Sequence, residues 1–367
     1  MEQGHRQAAG GVAAAPAVEA AEAADILAPV EAVMRRQTAA PTLEGPDTEG
    51  LRPFYGMLRY HLGWADADFA EARANAGKRL RPILLIRCAE ACGGSAEGAA
   101  PAAAAVELLH NFTLVHDDIQ DESSHRHHRE TVWRRWGTAQ AINVGDALFA
   151  VAHAALYALA EAPPGLPAGR VLAIARDFDR TALRIVEGQH LDLAHEGRWD
   201  GGAARYLTMI AGKTAAIMDF AARTGATLAG ADADTVALFG RFGLALGLAF
   251  QIRDDMLGIW GAQGVTGKPA ADDIRRRKQS LPIIALDERA DPAAREELRR
   301  LWSAPLDEAG VARVLALLDD AGIARECQGY VGRYHDEARA ALDDLAARGV
   351  RVERLRAYLD ALEERGF

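Results

Sequence analysis

The most informative stretch of the chain is ELLHNFTLVHDDIQD, residues 107–121. Its apolar residues recur at helical spacing, with Leu109 and Phe112 on one stripe. Asp117 and Asp121 are four residues apart, so their carboxylates stand on one helix face. Two carboxylates this close repel each other unless a cation lies between them, and Mg²⁺ takes a few protein carboxylates together with substrate phosphates. The stretch predicts a helix that ends in a magnesium site. A solvated acidic face is the alternative, and the preceding apolar residues argue against it.

Helical periodicity extends outward from this stretch in both directions. It covers residues 141–159, 171–193, 206–228, 235–257 and 311–318. The sequence shows no alternating strand-like runs flanked by Asn-Gly or Asp-Gly. The prediction is an all-α fold, a single large bundle of antiparallel helices.

The amino-terminal segment has a different composition. Residues 1–24 are rich in Ala, Gly and Glu and offer little apolar surface to bury, which predicts disorder. Residues 26–34 place apolar side chains at helical spacing, which makes one face suited to a docking partner. Pro41, Gly45 and Pro46 are typical of a linker. We therefore divide the chain into a low-complexity, disordered extension, residues 1–45, and an all-helical domain, residues 46–367.

Composition narrows the class of protein. The chain has 367 residues, of which 50% are apolar and 26% charged, as in ordinary globular proteins. A net charge of −10 argues against a general nucleic-acid binder. The sequence contains no uninterrupted apolar run of about 18 residues, so it predicts no membrane-spanning helix. No secretory signal is visible, and the three cysteines lack metal-site spacing. These features predict a cytoplasmic protein.

A second acidic pair closes another apolar helix. Residues 250–258 read FQIRDDMLG, with Asp254 and Asp255 after an apolar run. The residue four positions after Asp254 is Gly258 rather than a third carboxylate. Alone, this pattern is a weak indication of a metal site.

The basic residues show a strong bias. Of the 42 Lys and Arg residues, four are lysine: Lys78, Lys213, Lys268 and Lys278. They lie in GKRLRP, GKT, GKP and RRRK, and HRHHR, residues 125–129, follows the first acidic pair. On an acidic protein such groups are typical of diphosphate binding, with Lys as a point charge and Arg as a bidentate fork. A solvated charge run is the alternative for residues 275–278, and a surface loop is the alternative for the histidines.

The motifs GKRLRP, ELLHNFTLVHDDIQD, GKTA, FQIRDD, GKP and KQSLP, in this order, resemble those of all-trans polyprenyl diphosphate synthases of the isoprenoid synthase family. The resemblance runs from residue 77 to residue 282. It implies a homodimer that condenses isopentenyl diphosphate with an allylic prenyl diphosphate, with Mg²⁺ as cofactor and a central apolar cavity for the growing chain. The phrases YHLGW and LGIWG resemble an actinobacterial branch. Some members of that branch have long amino-terminal tails and are associated with encapsulin-type protein shells.

The resemblance also implies a role for each matching residue. The metal ligands would be Asp117, Asp118, Asp121, Asp254 and Asp255. Contacts to the allylic diphosphate would come from Lys213, Lys268 and Arg126, and contacts to isopentenyl diphosphate from Lys78, Arg81, His110 and His127. The site between the substrates would be lined by Gln189, Thr214 and Gln251, and chain length would be set at Phe112 and Thr113. Catalysis would depend most on Asp117, Asp121, Asp254, Lys213 and Arg126.

Three positions depart from the family pattern. Gly258 replaces the third Asp of the second motif. His127 stands where the family has a second arginine, and Glu130 stands where it has proline. These departures put one metal contact and the affinity for isopentenyl diphosphate in question.

The product is predicted from the residues before the first acidic motif. Phe112 lies five residues before Asp117, and the motif lacks the two-residue insertion of bacterial farnesyl diphosphate synthases. This combination resembles geranylgeranyl diphosphate synthases, so the main product is expected to be C20, with C15 farnesyl diphosphate as the second candidate.

Two other functions are left open. A catalytically weak partner subunit of a heteromeric synthase would usually lose its acidic clusters, whereas this chain keeps five aspartates across both. A terpene cyclase sharing the fold would carry an Asn/Ser/Glu metal pattern in the second motif, and it would not need Lys78 and Arg81.

Overall fold

The computed structural model describes residues 14–39, 48–75, 77–161, 165–199, 202–261 and 271–363. The helices are α1 (Ala14–Gln37), α2 (Thr48–His61), α3 (Leu80–Ala91), α4 (Ala96–Gln120), α5 (Val132–Trp136), α6 (Thr138–Tyr157), α7 (Ala168–His195), α8 (Gly202–Ile210), α9 (Ala216–Leu228), α10 (Ala233–Trp260), α11 (Asp272–Arg275), α12 (Leu281–Arg289), α13 (Pro292–Trp302), α14 (Glu308–Asp320), α15 (Ile323–Ala347) and α16 (Glu353–Glu363). A 3₁₀ turn, Ala158–Ala160, follows α6, and a π-helical turn, Ala211–Ala215, joins α8 to α9. The predicted all-α fold is confirmed.

Two apolar cores meet along α10. The first is formed by α1 to α4, α6, α7, α9, the first half of α10, the second half of α15 and α16. The second is formed by α8, the rest of α10 and the helices from α12 to α15. Helix α4 packs on α6 and α3, and α10 packs on α9 and α15. Since the two acidic motifs lie at the carboxyl ends of α4 and α10, this packing fixes where both motifs stand.

Side-chain caps mark where these two helices begin. The Ser95 hydroxyl accepts a hydrogen bond from the Gly98 amide at 3.1 Å. The Asp232 carboxylate accepts one from the Thr235 amide at 2.8 Å. Such caps satisfy amides that have no partner within the helix. The long apolar segments that follow are therefore held as helices from their first turn.

A short hairpin interrupts the helices after the first acidic motif. Strands β1 (His125–Arg126) and β2 (Arg129–Glu130) pair antiparallel. The two turn residues, His127 and His128, have φ values of 49° and 64°. A two-residue turn with both φ values positive usually takes Asn-Gly or Asp-Gly. Because two histidines occupy it here, the hairpin could not be predicted from the sequence pattern.

The amino-terminal region departs from the expected boundary at residue 45. Helix α1 packs on α3, α4 and α6, and Ile26, Val30 and Met34 are buried in the first core. The Arg35 guanidinium stacks on the Trp64 ring at 4.5 Å. The apolar face of residues 26–34 is thus used within the protein. Residues 14–24, for which disorder was expected, form the first part of α1. Residues 1–13 and 40–47 lie outside the described residues, so disorder before residue 14 and a linker after α1 remain predictions.

Two helical stretches are long and apolar enough to cross a membrane when only length and composition are counted. They are residues 138–160 and helix α10. Within them, 44% and 61% of the most apolar window is buried inside the fold. The core helix of a soluble protein passes the same test. Neither is an uninterrupted apolar run, because polar residues are interspersed in both.

Candidate active site

The first acidic motif closes α4. Asp117 lies in the last turn and Asp121 caps the helix, with the Asp121 amide 2.8 Å from the Asp117 carbonyl oxygen. Burial raises the pKa of Asp117 to about 6; Lys213 opposes the rise and Asp121 adds to it. Burial therefore disfavours the ionised form of Asp117, and a cation placed here would stabilise that form.

Asp118 has different surroundings from Asp117 and Asp121, the other two carboxylates of the motif. It is buried and accepts two hydrogen bonds from the Arg126 guanidinium, from Nε at 3.0 Å and from Nη2 at 2.8 Å. Burial raises the pKa of Asp118, and the bond to Arg126 opposes that rise. The pair holds Arg126 beside the first motif before any ligand binds.

Lys213 is presented by the π-helical turn. A β-carbon on Gly188 of α7 would lie 2.2 Å from the Lys213 amide nitrogen, so only glycine permits this approach. The Lys213 Nζ donates to Asp192 Oδ2 at 2.6 Å. Burial alone would lower the pKa of Lys213, but Asp192 and Asp117 outweigh it and the pKa is raised. π-helical turns are frequent at functional sites, and this one places a fixed positive charge near the first motif.

Amide and hydroxyl side chains connect the helices around the site. Gln189 Nε2 donates to Gln120 Oε1 at 2.7 Å, and its buried Oε1 has no hydrogen-bond partner in the described part of the chain. The Thr214 hydroxyl donates to Gln251 Oε1 at 2.7 Å. These bonds link α4 to α7 and the π-helical turn to α10.

The second motif contains one exposed and one buried carboxylate. Asp254 is exposed, whereas Asp255 is buried. Asp255 accepts hydrogen bonds from the Tyr206 hydroxyl at 2.6 Å, from Gln251 Nε2 at 3.0 Å and from Lys278 Nζ at 2.9 Å. Because three donors already hold its two oxygens, Asp255 fits the implied metal-ligand role poorly. It orients the polar side chains behind Asp254.

A second group of cations surrounds the start of α3. Arg79 is buried and donates to Glu107 Oε1 at 2.7 Å. Burial lowers the pKa of Arg81, which is attracted to Glu107 and to Asp254. Its Nε has no hydrogen-bond partner among the residues described here. Burial also lowers the pKa of His110, with Arg81 and Arg126 adding to the effect. The arrangement leaves excess positive charge facing the second motif.

A polar cavity opens beside these cations. Its lining comprises Tyr60, His61, Asn75, Asn111, Leu114, Asp118, Arg126, His127, Arg129, Glu130, Thr131 and Val132. The His127 Nε2 lies 3.5 Å from the position of a β-carbon on Gly77, next to Lys78. The His61 Nε2 is buried without a partner in the described ranges. Burial, followed by Arg126 and Arg79, lowers the pKa of His61 to about 3. The cavity thus offers cations and an unpaired imidazole nitrogen to an anion.

Arg129 and Glu130 of the hairpin are bonded to other groups of the protein. Arg129 donates to the Tyr60 and Ala65 carbonyl oxygens at 2.9 and 2.7 Å, and its guanidinium stacks on the Tyr60 ring at 3.8 Å. Glu130 accepts from Arg135 at 3.0 Å. Arg129 therefore holds the backbone at and just after the end of α2, whereas Glu130 lines the cavity but pairs with Arg135, which does not.

Half-buried aromatic side chains form a row next to Phe112. Its ring centroid is 5.1 Å from that of Phe149 and 4.9 Å from that of His116. His153 continues the row at 4.8 Å from Phe149. The Thr113 hydroxyl donates to the His110 carbonyl oxygen at 2.8 Å. Phe112 thus separates the acidic end of α4 from the core between α4 and α6; a central apolar cavity beyond it remains a prediction.

The acidic residues fit a divalent metal that is completed by substrate. Within the described ranges, no three His, Cys, Asp or Glu side chains form a ready-made metal site. Mg²⁺ needs only one or two protein carboxylates when phosphate oxygens and water fill its other positions. The carboxylates of Asp117, Asp121 and Asp254 are such hard oxygen donors, and a bound metal would stabilise the ionised form of Asp117 that burial disfavours.

Some residues of the site were not singled out from the sequence. They are His61, Arg79, Tyr206 and Asp273. Each becomes visible only through a buried contact with a residue distant in sequence, such as Tyr206 with Asp255. Lys268 lies outside the described residues, so its contact with the allylic diphosphate remains a prediction.

Comparisons with known proteins agree with this geometry. A sequence profile of the polyprenyl synthetase family matches residues 66–318. The geranylgeranyl diphosphate synthase of Mycobacterium tuberculosis is 41% identical over 312 residues, which are 84% of this chain and 87% of that protein. The (2E,6E)-farnesyl diphosphate synthase of Mycobacterium bovis is 42% identical over 227 residues, 62% of this chain and 61% of that protein.

A solved structure extends the comparison to the fold. It is a polyprenyl synthase from Caulobacter crescentus CB15 complexed with calcium and isoprenyl diphosphate. It is 28% identical to this chain with a TM-score of 0.76, and the match covers 93% of this chain and 94% of that one. The chain described here belongs to the polyprenyl synthetase family and is a prenyltransferase, an all-trans polyprenyl diphosphate synthase.

Proposed function

We propose that the protein condenses isopentenyl diphosphate with an allylic prenyl diphosphate in a Mg²⁺-dependent reaction whose main product is C20 geranylgeranyl diphosphate. The observation that carries this proposal is that the Asp117–Asp121 end of α4 lies beside two cations held by their own counter-ions, Lys213 on Asp192 at 2.6 Å and Arg126 on Asp118 at 2.8 Å. Carboxylates beside fixed cations fit a diphosphate bound together with a metal ion. They fit a diphosphate alone or a metal ion alone less well.

The allylic diphosphate would lie between the two acidic motifs. Asp117, Asp121 and Asp254 would hold the metal ions, which when bound stabilise negative charge on the diphosphate leaving group. Lys213 and Arg126 would contact the same diphosphate directly. Their counter-ions, Asp192 and Asp118, hold them at fixed positions. Such preorganised charges need no rearrangement as the reaction proceeds.

Isopentenyl diphosphate would occupy the cationic pocket at the start of α3. Lys78, Arg81, His110 and His127 would bind its diphosphate. Support comes from the buried Arg81 Nε, which lacks a partner among the described side chains. A bound anion would supply that partner and relieve the cost of leaving a buried donor unsatisfied.

The reaction follows from these placements. Breaking the allylic C–O bond produces a carbocation and a diphosphate anion, and the fixed cations stabilise the anion as it forms. The double bond of isopentenyl diphosphate, held at a fixed distance, attacks the carbocation with little further entropic cost. Apolar surroundings keep water from the cation. The released diphosphate accepts the proton that the product loses.

Phe112 and the named relatives both support a C20 product. The Mycobacterium tuberculosis relative is named a geranylgeranyl diphosphate synthase, which favours C20. The shorter match to a farnesyl diphosphate synthase supports C15 as the second candidate. In both cases the Phe112 ring, about 7.5 Å before Asp117 along the helix, would limit the growing chain.

A homodimer is supported by apolar side chains at the surface of two neighbouring helices. Ile142 on α6 and Leu172, Leu183 and Val186 on α7 are exposed. Large exposed apolar patches are typical of interaction sites. A second copy of the chain would cover them in solution, and light scattering of the purified protein measures the expected doubled mass.

The cysteines and helix α1 bear on where the enzyme works and on where a protein shell could dock. A cytoplasmic enzyme fits the free cysteines, of which Cys88 and Cys327 are buried. Because the apolar face of α1 is used in the core, docking on an encapsulin-type shell would fall on residues before Asp25. Capture of shell protein by the full chain but not by a chain starting at residue 24 tests this assignment.

A product assay tests the proposed activity. The purified protein is incubated with Mg²⁺, labelled isopentenyl diphosphate and each allylic starter in turn. We expect labelled C20 diphosphate, and none when EDTA removes the metal. Asp117→Asn should reduce turnover by about 10²–10³-fold, as is typical for losing a major electrostatic group, whereas the exposed Asp320→Asn should match wild type. No product would favour a partner subunit, and a hydrocarbon or alcohol from the allylic substrate alone would favour a cyclase.

A further inference from the structure

Gly258 occupies the position at which the second acidic motif would carry its third carboxylate. A β-carbon built on Gly258 would lie 2.2 Å from Asp273 Oδ2, 2.5 Å from its Cγ and 2.9 Å from its Oδ1. Side-chain atoms do not approach a β-carbon this closely. The space of the missing side chain is therefore filled by a carboxylate from α11.

Asp273 is held at this place by its own surroundings. It is 7% exposed, and the Lys278 amide donates to its carbonyl oxygen at 2.9 Å, which closes the turn after α11. The Lys278 side chain extends from that turn to Asp255 at 2.9 Å and lies 4.0 Å from Asp273 Oδ2. The turn thus approaches α10 through two adjacent contacts, one at Asp255 and one at Gly258.

The direction of residue 258 on α10 decides what this carboxylate does. Residues 254 and 258 are four positions apart, so their side chains emerge on the same helix face. Asp254 is the exposed carboxylate of that face. An oxygen of Asp273, located where the side chain of residue 258 would begin, consequently adds negative charge beside Asp254.

We propose that Asp273 supplies, from α11, the third carboxylate that the second metal-binding motif lacks at Gly258. Gly258 is then the complement of Asp273 rather than a lost ligand. The inference rests on the proposed Mg²⁺-diphosphate function. One carboxylate occupies the space that two would need. Gly258→Asp alone is therefore expected to weaken Mg²⁺-dependent binding of diphosphate.

Binding of inorganic diphosphate in the presence of Mg²⁺, measured by calorimetry, tests the proposal without requiring turnover. Asp273→Asn keeps the shape and removes the charge, so we expect affinity to fall by about 10–100-fold, as for loss of a carboxylate that supports a metal site. Asp272→Asn is the matched control: Asp272 is the preceding residue of α11, pairs with Arg276 at 3.3 Å, and should leave affinity unchanged.

A charge swap separates this role from simple packing. Gly258→Asp alone should weaken binding, because its side chain meets Asp273. The double variant Gly258→Asp with Asp273→Ala should bind within about threefold of wild type, because the carboxylate now comes from α10. Wild-type affinity in Asp273→Asn would overturn the proposal, and so would Gly258→Asp binding as tightly as wild type or a folded double variant binding no better than Gly258→Asp. Absence of prenyl product from the wild-type protein would instead overturn the proposed function.

Discussion

The Arg79 guanidinium donates a 2.7 Å hydrogen bond to Glu107, and each side chain is only 4% exposed. Glu107 also accepts from Asn111 Nδ2 at 3.0 Å. Removing the charge of Glu107 leaves a buried guanidinium without its counter-ion, which costs about 3–5 kcal/mol. We expect Glu107→Gln to lower the free energy of unfolding, measured in urea, by that amount. The surface pair of Arg313 and Glu297 provides the control, since Glu297→Gln should leave stability nearly unchanged; equal effects of the two variants would show that Arg79 is compensated elsewhere.

Removing α1 should destabilise the protein. The sequence alone favours an active chain starting near Thr48, but Ile26, Val30 and Met34 of α1 are buried in the first core. Each buried side chain of this size contributes roughly 1.5–3 kcal/mol. A chain starting at residue 48 is therefore expected to lose several kcal/mol and to melt at a lower temperature, whereas a chain starting at residue 24 should melt like the full protein. Equal melting temperatures for all three chains would place α1 outside the stable core.

His61 should make stability sensitive to acid. Its pKa is lowered to about 3 in the fold, by burial and then by Arg126, Arg79 and His127, and is about 6.5 when unfolded. Between about pH 6.5 and about pH 3 His61 is protonated in the unfolded chain but neutral in the folded chain. Its full contribution to the free energy of unfolding is therefore present above about pH 6.5 and is lost progressively as the pH falls towards about 3.

The slope of this loss is measurable between pH 7 and 5. In His61→Gln the urea midpoint should fall less steeply over that interval than in wild type. The exposed turn residue provides the control, and His128→Gln should keep the wild-type slope. Identical slopes in His61→Gln and wild type would assign the acid sensitivity to other groups, with His110 the first to examine.

Phe112 should control product length. Replacing its ring by a methyl group opens the space between the acidic end of α4 and Phe149. We expect Phe112→Ala to shift labelled products beyond the wild-type length, resolved by chromatography after dephosphorylation. Phe149→Ala, one layer further along the row, should lengthen products only in combination with Phe112→Ala. Unchanged products in Phe112→Ala would show that the ring serves core packing only.

His127 should make isopentenyl diphosphate binding depend on pH. Partial desolvation, together with Arg126, His128 and Arg79, lowers the pKa of His127 before substrate binds. A bound diphosphate favours the imidazolium form, so binding takes up a proton and weakens as the pH rises. His127→Arg stays charged throughout. Its KM for isopentenyl diphosphate should be lower than that of wild type near pH 8, and the two should converge near pH 6. Parallel curves, or an equal effect of His128→Arg, would show that His127 points to solvent.

The all-α fold could be predicted from the sequence, and so could candidates for the site, because both rest on local patterns. Helical spacing and the four-residue interval between Asp117 and Asp121 are properties of one helix, so they are visible without tertiary information. The few lysines of the chain helped to locate the site. Three of the four, Lys78, Lys213 and Lys278, lie in the described part of the candidate site.

Features that depend on distant contacts were beyond the sequence. Asp255 looks equivalent to Asp254 until Tyr206 and Lys278 are seen to hold it. Gly258 looks like a missing ligand until Asp273 is seen in its place. Helix α1 looks like a tail because its partners lie on α3, α4 and α6. In each case the amino-acid type is compatible with two environments, and only tertiary packing selects one.

The π-helical turn Ala211–Ala215 has a consequence for how this chain tolerates insertions and deletions. An α-helix advances about 100° and 1.5 Å with each residue, so gaining or losing one residue here rotates everything beyond it relative to α8. Lys213 would then turn away from Asp192, and α9 would present a different face to α3 and α10. Point substitutions leave this angular relation intact, whereas a change of one residue in length breaks it. The turn therefore fixes the register of two helices, and its length is expected to resist change more strongly than its composition.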